Sequence, residues 1–582
     1  MKKGLILSVM LAGAAALGFS QTAWTVSNAA SWVEAVNGIR NGGNSKAHTI
    51  TVSGTVSVIP TPASENTFGS VTGVTVTIQS PGNGIITLNS NGSLLRIGSG
   101  QTVVVKDLTL KGRSDNKAPM VFVGDRGSFR MEGKAVVSGN TREHDRASWE
   151  REEGGGIYVS NGIFTMQDNA TVSDNKADIG GGVYVSGGTF TLKDNASVSG
   201  NIGNVGGEGG GGGGVYIANG TFTMQGSAAV SGNTSYGSGG GIYNRGTFTM
   251  QGSAAISRNS NATQVSVGGG GGIYNAGTFT MQGNATVSGN TSSISNGAGI
   301  YVDSAGEFTM QDNVKVSGNQ ANNGSGGGVY VSGMNRGYRS VEHVSGVFIM
   351  KGNASVSGNT SRDGGGVCIE GGTFTIQDNA TVSGNTAANN GGGLSIGERD
   401  KDFTVFTKKS GTIYGNNETN AQLRNNAKQG SAIYGANQWR NATAGPTMNT
   451  GTFGFWLNEE EVVQSNTASP PSGNVTSSPS DNAALRPPDV TAFPASFRGT
   501  WRKKSGPFNK ITIDANSIKV NFTGTLLLIT GSGDSYKVRT EKGNQTVTLN
   551  IKFVKGNLEI SCNDNLAYPW NTWDWNDTLQ KQ

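Results

Sequence analysis

The pattern of hydrophobic and polar positions repeats along the middle of the chain. Residues 154–175 read GGGIYVSNGIFTMQDNATVSDN, and residues 180–201, 271–290 and 364–385 read almost the same. Each copy holds three short runs with alternating apolar side chains, namely Gly-Ile/Val-Tyr-Val, Thr-Phe-Thr-Met and Ala-Thr-Val-Ser. Alternation with a period of two is typical of strands with one buried face. Faithful repetition of such a unit indicates a repeat architecture.

One part of the unit has a fixed length and the rest does not. The repeated phenylalanines stand at positions 129, 164, 190, 222, 248, 279, 308, 348, 374 and 406. In the first nine units an Asn follows eleven residues later, and in the last unit Asn416 follows Phe406 after ten. Insertions fall between this Asn and the Gly run, as in 141–153 and 202–209, or between the Tyr and the Phe, as in 332–346. Loops of variable length are where repeat scaffolds usually carry function.

This arrangement predicts an all-β fold, a right-handed parallel β-helix solenoid. Phe164, Met166, Ala170 and Val172 share one parity, so stacking of like on like gives a core of Phe, Met, Ala and Val ladders. The Asn column falls at a turn, where stacked amides can bond to each other, and the Gly runs supply tight corners. A β-propeller is the alternative, but the units lack its hairpin turns.

The regions before and after the repeats predict separate segments. Residues 27–39 predict an amphipathic helix with a Ser31/Glu34 capping box and an apolar face of Trp32, Val36 and Ile39, suited to capping the solenoid. Strands are expected at 48–58, 74–78, 85–88, 94–97 and 102–110. We predict a signal peptide at 1–20, an N-terminal cap with the first coils at 21–128, and the repeat β-helix at 129–464. A Pro/Ser-rich linker at 465–494 and a small β module at 495–582 follow.

The C-terminal module predicts a small antiparallel β-barrel or sandwich. Strands are expected at 510–513, 517–521, 525–529, 536–540, 546–553 and 557–562, joined by Gly-containing hairpin turns. Its opening residues, Gly499-Thr500-Trp501, resemble the Gly-x-Trp start of lipocalin-like barrels. At 88 residues the module is short for a full eight-stranded barrel of the usual size.

Composition and charge indicate an exported protein. Lys2 and Lys3, an apolar run over 4–17 and Gly18-Phe19-Ser20 form a secretory signal pattern. The net charge is +5, of which the signal supplies two, so no clustered basic surface for nucleic acid is expected. Two cysteines, Cys368 and Cys562, give no disulfide framework.

Candidate chemistry is sparse in the sequence. Asp168, Asp194, Asp312 and Asp378 share one column with several glycines, which favours a turn over a metal or catalytic site. The charged insertion 141–153 predicts a solvated loop. The three histidines are far apart, and no nucleotide-binding or calcium-binding motif is present. We therefore predict no cofactor, no metal and no catalytic residue.

Two aromatic features suit binding instead. A column of tyrosines is flanked by inward-facing Ile and Val, so the rings are expected to point outward. The pattern favours a stacking ladder that only stabilises the coils; an exposed aromatic stripe on which sugar rings or partner proteins pack is the alternative. The second feature is the Trp-rich tail, which is either a ligand platform or a cover for the small barrel. The candidate interaction surface comprises Tyr158, Tyr184, Tyr216, Tyr243, Tyr274, Tyr301, Tyr330, Trp570, Trp573 and Trp575.

The repeat resembles that of the chlamydial polymorphic outer-membrane proteins, which use GGA-[ILV] and FxxN motifs. Gly154-Gly155-Gly156-Ile157 matches the first motif with Gly for Ala, and Val172-Ser173-Asp174-Asn175 matches the second with Val for Phe. The likeness covers about 129–416. It implies a surface-exposed β-helix with a role in adhesion, whereas the short C-terminal module departs from the family's translocating barrel.

From these patterns we expect a surface or secreted adhesin or interaction scaffold without catalysis. Its partner would be a host or matrix protein or a surface glycan, with peripheral outer-membrane association as one route of retention. A polysaccharide lyase or hydrolase on a β-helix and a self-assembling coat protein are the alternatives.

Overall fold

The computed structural model describes residues 22–142, 151–203, 210–263, 268–335, 343–397, 404–416 and 418–435, and the backbone of eight strands between 499 and 581. The chain divides into two compact units, Met1–Thr467 and Ala468–Gln582. The predicted signal peptide and the Pro/Ser-rich linker lie outside the described residues. The other predicted domain limits stay predictions.

The first unit is a parallel β-solenoid, as the repeat predicted. Four sheets run along it, and we name each after its most regular feature. The Phe sheet has 14 strands. They are Thr22–Val26, Ala47–Val52, Val74–Gln79, Gln101–Lys106, Ser128–Glu132, Ile163–Met166, Thr189–Leu192, Thr221–Met224, Thr247–Met250, Thr278–Met281, Glu307–Met310, Val347–Met350, Thr373–Ile376 and Val405–Lys408.

The Val sheet follows the Phe sheet around each coil and has 13 strands. They are Thr55–Val58, Ile85–Leu88, Thr109–Lys111, Val136–Ser138, Thr171–Ser173, Ser197–Ser199, Ala229–Ser231, Ala255–Ser257, Thr286–Ser288, Lys315–Ser317, Ser355–Ser357, Thr381–Ser383 and Thr412–Ile413. The runs predicted as single strands at 48–58 and 102–110 are each broken by a turn, because the chain passes there from the Phe sheet to the Val sheet.

The Tyr sheet closes each coil before the next Phe strand. Its twelve stacked strands are Leu95–Ile97, Val121–Val123, Ile157–Val159, Val183–Val185, Val215–Ile217, Ile242–Asn244, Ile273–Asn275, Ile300–Val302, Val329–Asn335, Val367–Glu370, Leu394–Ile396 and Ile433–Gly435, and His343–Ser345 pairs antiparallel with Val329–Asn335. Ile433–Gly435 pairs with Leu394–Ile396 and is the last strand of this sheet among the described residues.

A fourth set of very short strands, the corner sheet, was not predicted from the sequence. Its eight strands follow the Asn column and are Lys176–Ala177, Ile202–Gly203, Thr234–Ser235, Ser260–Asn261, Thr291–Ser292, Gln320–Ala321, Thr360–Asp363 and Thr386–Asn390. Six of the eight have only two residues, too few to show an apolar alternation in the sequence.

The core consists of the predicted ladders. The stacked strands of the Phe sheet pair like residue over like residue, so that Phe164 lies over Phe190 and Met166 over Leu192. The Phe rings from Phe129 to Phe406 are at most 1% exposed and stack with centroids 4.5–5.5 Å apart. Ala170 and Val172 are fully buried beside them. One continuous apolar core therefore runs through the solenoid.

A helix covers the first end of this core. Helix α1 spans Ala29–Asn41, and its buried face of Trp32, Val36 and Ile39 belongs to the solenoid core, as predicted. The predicted Ser31/Glu34 capping box is wrong: Asn28 is the N-cap, its side chain accepts from the Ser31 N–H at 2.9 Å, and the Ser31 hydroxyl accepts from the Asn28 N–H. Asn28 stands three residues before Ser31, which satisfies the same reciprocal geometry.

The second unit contains eight antiparallel strands that close into a barrel. They are Gly499–Lys503, Lys510–Ile513, Ser517–Val520, Thr523–Ser532, Ser535–Lys542, Gln545–Val554, Asn557–Cys562 and Asp577–Lys581. The six predicted strands are present, whereas the first and last were missed. The closing pairs join Gly499–Lys503 to Asp577–Lys581, so a short module reaches eight strands because several of them have only four to six residues.

Candidate functional site

The seven predicted tyrosines form one continuous stack on the outer side of the Tyr sheet. Their rings lie directly over one another in successive coils, with centroids 4.5–5.4 Å apart. The flanking Ile157 and Val159 are fully buried, so the rings point away from the core. At one end Phe122 continues the stack against Tyr158, and at the other Cys368 and Ser395 take the column over.

The rings do not form the exposed stripe that was the alternative for this column. Tyr184, Tyr216 and Tyr330 are only 7%, 8% and 4% exposed, and the other four are half-buried. The cause is the corner that precedes each Gly run. A Cβ placed on Gly211 would lie 2.9 Å from the ring of Tyr243, because the corner backbone packs against the aromatic edge. The tyrosines are thus a partly covered stacking ladder, the arrangement that the pattern favoured.

The hydroxyl ends of the stack meet one residue column of the following coil. Each Tyr reaches toward the residue two positions after the next Tyr-column residue. The Tyr330 hydroxyl donates to Glu370 Oε2 at 2.8 Å. Ser186, Arg245 and Asp303 stand at the same place beside Tyr158, Tyr216 and Tyr274. Ser186 and Arg245 donate to the Tyr hydroxyl, whereas Asp303 accepts from it. Tyr184 and Tyr243 lack this partner because Ala218 and Ala276 occupy the position. The Tyr184 hydroxyl bonds Glu153 instead, and the Tyr243 hydroxyl bonds Tyr274.

Burial raises the pKa of the stacked phenols. It raises the pKa of Tyr243 to about 12, with the neighbouring Tyr216 as a secondary cause. The pKa values of Tyr184, Tyr274 and Tyr330 also lie above the ordinary value, again chiefly through burial. Tyr184, Tyr243, Tyr274 and Tyr330 are therefore protonated at neutral pH, where their hydroxyls serve as hydrogen-bond donors and acceptors rather than as bases or nucleophiles.

An ion-pair cluster lies at the first end of the Tyr stack, at the base of the insertion predicted as a solvated loop. Arg142 pairs with the Glu152 carboxylate and donates to the Glu153 carbonyl. The Asp178 carboxylate accepts from the Glu152 N–H at 3.1 Å. Burial lowers the pKa of Arg142, while the nearby carboxylates oppose that shift. These ion pairs and hydrogen bonds hold residues 142 and 151–153 against the solenoid. Residues 143–150 lie outside the described residues.

A hairpin marks the other end of the stack. The strand that carries Tyr330 continues outward to Asn335 and returns through His343–Ser345. The Gly346 N–H donates to the Ser332 carbonyl at 2.8 Å, and the Ser345 hydroxyl donates to the Gly371 carbonyl at 3.0 Å. The insertion predicted at 332–346 is therefore held at its base by regular hydrogen bonds to the adjoining coil.

The Asp column is turn chemistry, as predicted. Asp168, Asp194, Asp312 and Asp378 have φ of 58–62°, the left-handed region that the glycines of the same column also occupy. Asp168 Oδ2 accepts from the Gly133 N–H at 2.8 Å, and Asp378 Oδ2 from the Gly352 N–H at 2.8 Å. Each carboxylate thus bonds a backbone N–H of the preceding coil.

The Asn column forms the predicted amide ladder. Asn175 Nδ2 donates to Asn201 Oδ1 at 3.0 Å, and the same bond repeats through Asn233, Asn259 and Asn290 to Asn385. The last member is Asn425, not the predicted Asn416. The interval from Phe406 misled the prediction because the last described coil takes a longer path, through the 3₁₀ turn Ala421–Leu423.

Two buried asparagines in the Tyr sheet were missed. Asn244 and Asn275 replace core valines, and Asn244 Nδ2 donates to Asn275 Oδ1 at 2.7 Å. Asn275 Nδ2 also donates to the Gly277 and Glu307 carbonyls. The spacing from Tyr to Phe could have revealed these asparagines. It is five residues in Tyr243–Phe248 and Tyr274–Phe279, whereas it is six in the preceding three units. The shorter turns leave backbone groups that the amides bond.

The remaining candidates give no site geometry. Trp570, Trp573 and Trp575 lie outside the described residues. Within the part of the chain that the structure describes, no three His, Cys, Asp or Glu side chains are grouped as a metal site requires. In the same residues, no helix has the length and apolar character needed to cross a bilayer.

Comparison with known proteins returned no match, whether to a family model, a curated protein or a solved structure. The described geometry alone therefore defines the class: a parallel β-solenoid with a stacked Tyr ladder whose two ends carry anchored insertions.

Proposed function

We propose that this protein is an exported interaction scaffold of the adhesin type, without catalytic activity. The observation that supports it most is the anchoring of two long insertions at the two ends of the Tyr stack. Arg142 and its carboxylates fix one beside Tyr158, and the hairpin from Val329–Asn335 fixes the other beside Tyr330. Six coil steps separate these tyrosines, which places the two bases about 30 Å apart at the ordinary strand spacing.

The partner of such a scaffold would be a host or matrix protein or a surface glycan. The Tyr ladder is a rigid support for the loops rather than the main contact surface, since its rings are half-buried or buried. The resemblance of the repeats to chlamydial surface proteins agrees with this role, and peripheral association with an outer membrane would be one way to retain the protein outside the cell.

The test replaces each insertion while keeping its anchor. In one variant residues 143–150 become a Gly-Ser linker of equal length, with Arg142 and Glu152 unchanged; in a second, residues 336–342 are replaced likewise. Residues 264–267, between the Asn column and the Gly run of a middle repeat, serve as the matched control. Binding to arrays of matrix proteins and of glycans is then measured for the purified mature chain.

We expect binding to fall at least tenfold in one or both insertion variants and to stay unchanged in the control, with the same circular-dichroism melt in all. Unchanged binding in both variants and in their combination would contradict the proposal. Fractionation of the source cells should find the protein in the medium or at the outer membrane, and a cytoplasmic location would contradict its export.

The same purified protein also tests the two alternative functions. New reducing ends or unsaturated products from the glycan array, lost on changing one carboxylate, would establish a polysaccharide-acting enzyme. Concentration-dependent assembly without binding to any array would establish a coat protein.

A further inference from the structure

The turn between the Phe sheet and the Val sheet carries a row of asparagines, each followed two positions later by Ser or Thr. The row comprises Asn169, Asn195, Asn284, Asn353 and Asn379, with Thr171, Ser197, Thr286, Ser355 and Thr381 as their hydroxyl residues. The residue between is Ala each time. Asn-x-Ser/Thr with x other than Pro is the acceptor motif for N-linked glycosylation.

The fold separates accessible copies of this triplet from inaccessible ones. All five asparagines of the row are exposed, and each follows a residue with φ of 58–72° at the tip of a turn. The same triplet also occurs at Asn233, Asn290 and Asn359, but these belong to the buried amide ladder and are fully buried. Exposed copies also occur singly at Asn91, Asn219 and Asn323, so within the described solenoid the outer row is where accessible copies recur in one column.

Five of the six asparagines in this turn column have the hydroxyl residue, and Asn313, which is followed by Lys315, lacks it. Two coils have Ser227 and Ser253 in place of the Asn, and both have Ala two positions later. Contacts do not require this pairing: the Thr171 hydroxyl donates to the backbone carbonyl of Asn169 at 3.4 Å and lies 3.3 Å from the Ser197 hydroxyl. Any residue at 169 offers the same carbonyl.

We propose that this row is an acceptor surface for N-linked glycans. The inference rests on the export that the proposed function requires. In the transfer, Nδ2 of the Asn forms a bond to the anomeric carbon of a glycosyl diphosphate donor. The bond from that carbon to the diphosphate oxygen breaks, the diphosphate leaves with the electron pair, and one amide proton passes to solvent. The transferase is a partner enzyme.

The geometry ranks the acceptors. Asn284 has no acceptor in either neighbouring coil, since Ser253 precedes it and Asn313 is followed by Lys315. Its side-chain amide has no hydrogen bond within the described residues, whereas Asn353 and Asn379 donate to Asn313 and Asn353. Adjacent coils lie about 4.8 Å apart, too close for two bulky glycans. We therefore assign Asn284 as the main acceptor, with one further glycan at most on each of the pairs 169/195 and 353/379.

The test is intact-mass and glycopeptide mass spectrometry of the full chain from the cells that make it, with the Asn284→Gln, Thr286→Ala and Thr286→Ser variants. We expect up to three glycans, with Asn284 modified in more than half of the molecules. Its glycan should disappear in Asn284→Gln and Thr286→Ala and persist in Thr286→Ser. A structural role of Thr286 alone would not produce this split.

A polypeptide mass without increments, in whichever fraction the protein is found, would overturn the inference. So would glycans confined to other asparagines. Exported protein that binds its partner but carries no glycan would overturn this inference alone and leave the proposed function intact.

Discussion

The stretch from each Phe to the following Asn and the stretch from that Asn to the next Phe obey different physical constraints. The first, which we call the wall, contains the Phe strand, a one-residue left-handed turn and the Val strand, and ends on a buried amide ladder. The second, the variable side, contains the Gly corner and the Tyr strand and accepts insertions. Its Tyr rings also form a continuous stack, yet four of the seven tyrosines are only half-buried. Stacking alone therefore does not fix coil length, whereas complete burial with bonded amides does.

The largest effect is expected from the amide ladder of the wall. Asn259 Oδ1 accepts from both the backbone N–H and Nδ2 of Asn233, and its own Nδ2 donates to the Val230 carbonyl. Asn259→Ala leaves these buried groups without partners, at about 1–3 kcal/mol each, so the free energy of unfolding should fall by about 4 kcal/mol. Urea denaturation measures it. The control is Asn284→Ala at an exposed turn, expected within about 0.5 kcal/mol of the parent; equal losses would remove the distinction.

The next largest effect is the difference in stability loss between truncating a Phe of the wall and a Tyr of the variable side. Phe248 is fully buried, and Phe248→Ala should cost about 3–5 kcal/mol through the lost burial and the cavity left behind. Tyr243 in the same coil is half-buried, and Tyr243→Ala should cost about 2 kcal/mol. Both are read from the same denaturation curves. A larger loss for Tyr243 would show that the Tyr side is the main structural support.

Alkaline pH should lower the stability of the protein through the tyrosines of the variable side. The folded state holds the Tyr243 proton up to pH about 12, whereas the unfolded chain releases it above the ordinary pKa of 10.0. Stability is therefore complete below pH 10 and falls as pH rises toward 12, by about 2–3 kcal/mol for this group at 1.36 kcal/mol per unit. Tyr243→Phe should flatten that part of the stability curve. An unchanged slope in this variant would contradict the burial of the phenol.

The smallest effect concerns the corners of the wall. Arg258 has φ of 55° at a position where the preceding coil has Gly232 with φ of 64°. Arg258→Gly should raise the free energy of unfolding by about 0.5–1 kcal/mol, because a left-handed conformation costs an L-residue more than it costs glycine. Gly232→Ala, which meets no atom within 4 Å, should lower it by about 1 kcal/mol. Thermal melts measure both variants. Destabilisation by Arg258→Gly together with stabilisation by Gly232→Ala would contradict the turn geometry.

The sequence predicted the wall well because apolar alternation and a constant interval both report burial. Phe164, Val172 and Asn175 were correctly placed from their spacing alone. The variable side was predicted less well. The exposure of the tyrosines depends on corners such as Gly211 packing against Tyr243, which is a contact between coils rather than a local pattern. The corner sheet and the Arg142 cluster were not predicted for the same reason, since their residue types are those of ordinary loops.

The most direct test compares one four-residue insertion at two places. Gly-Ser-Gly-Ser is placed between Gly283 and Asn284 in the wall, or between residues 205 and 206 on the variable side, and thermal and urea unfolding are measured for each. We predict that the second insertion changes the free energy of unfolding by less than about 1 kcal/mol, the scale of added loop entropy. The wall insertion should lower it by several kcal/mol or prevent folding, because it breaks the register of the adjoining coils. Equal tolerance of both insertions would contradict the division into a wall and a variable side.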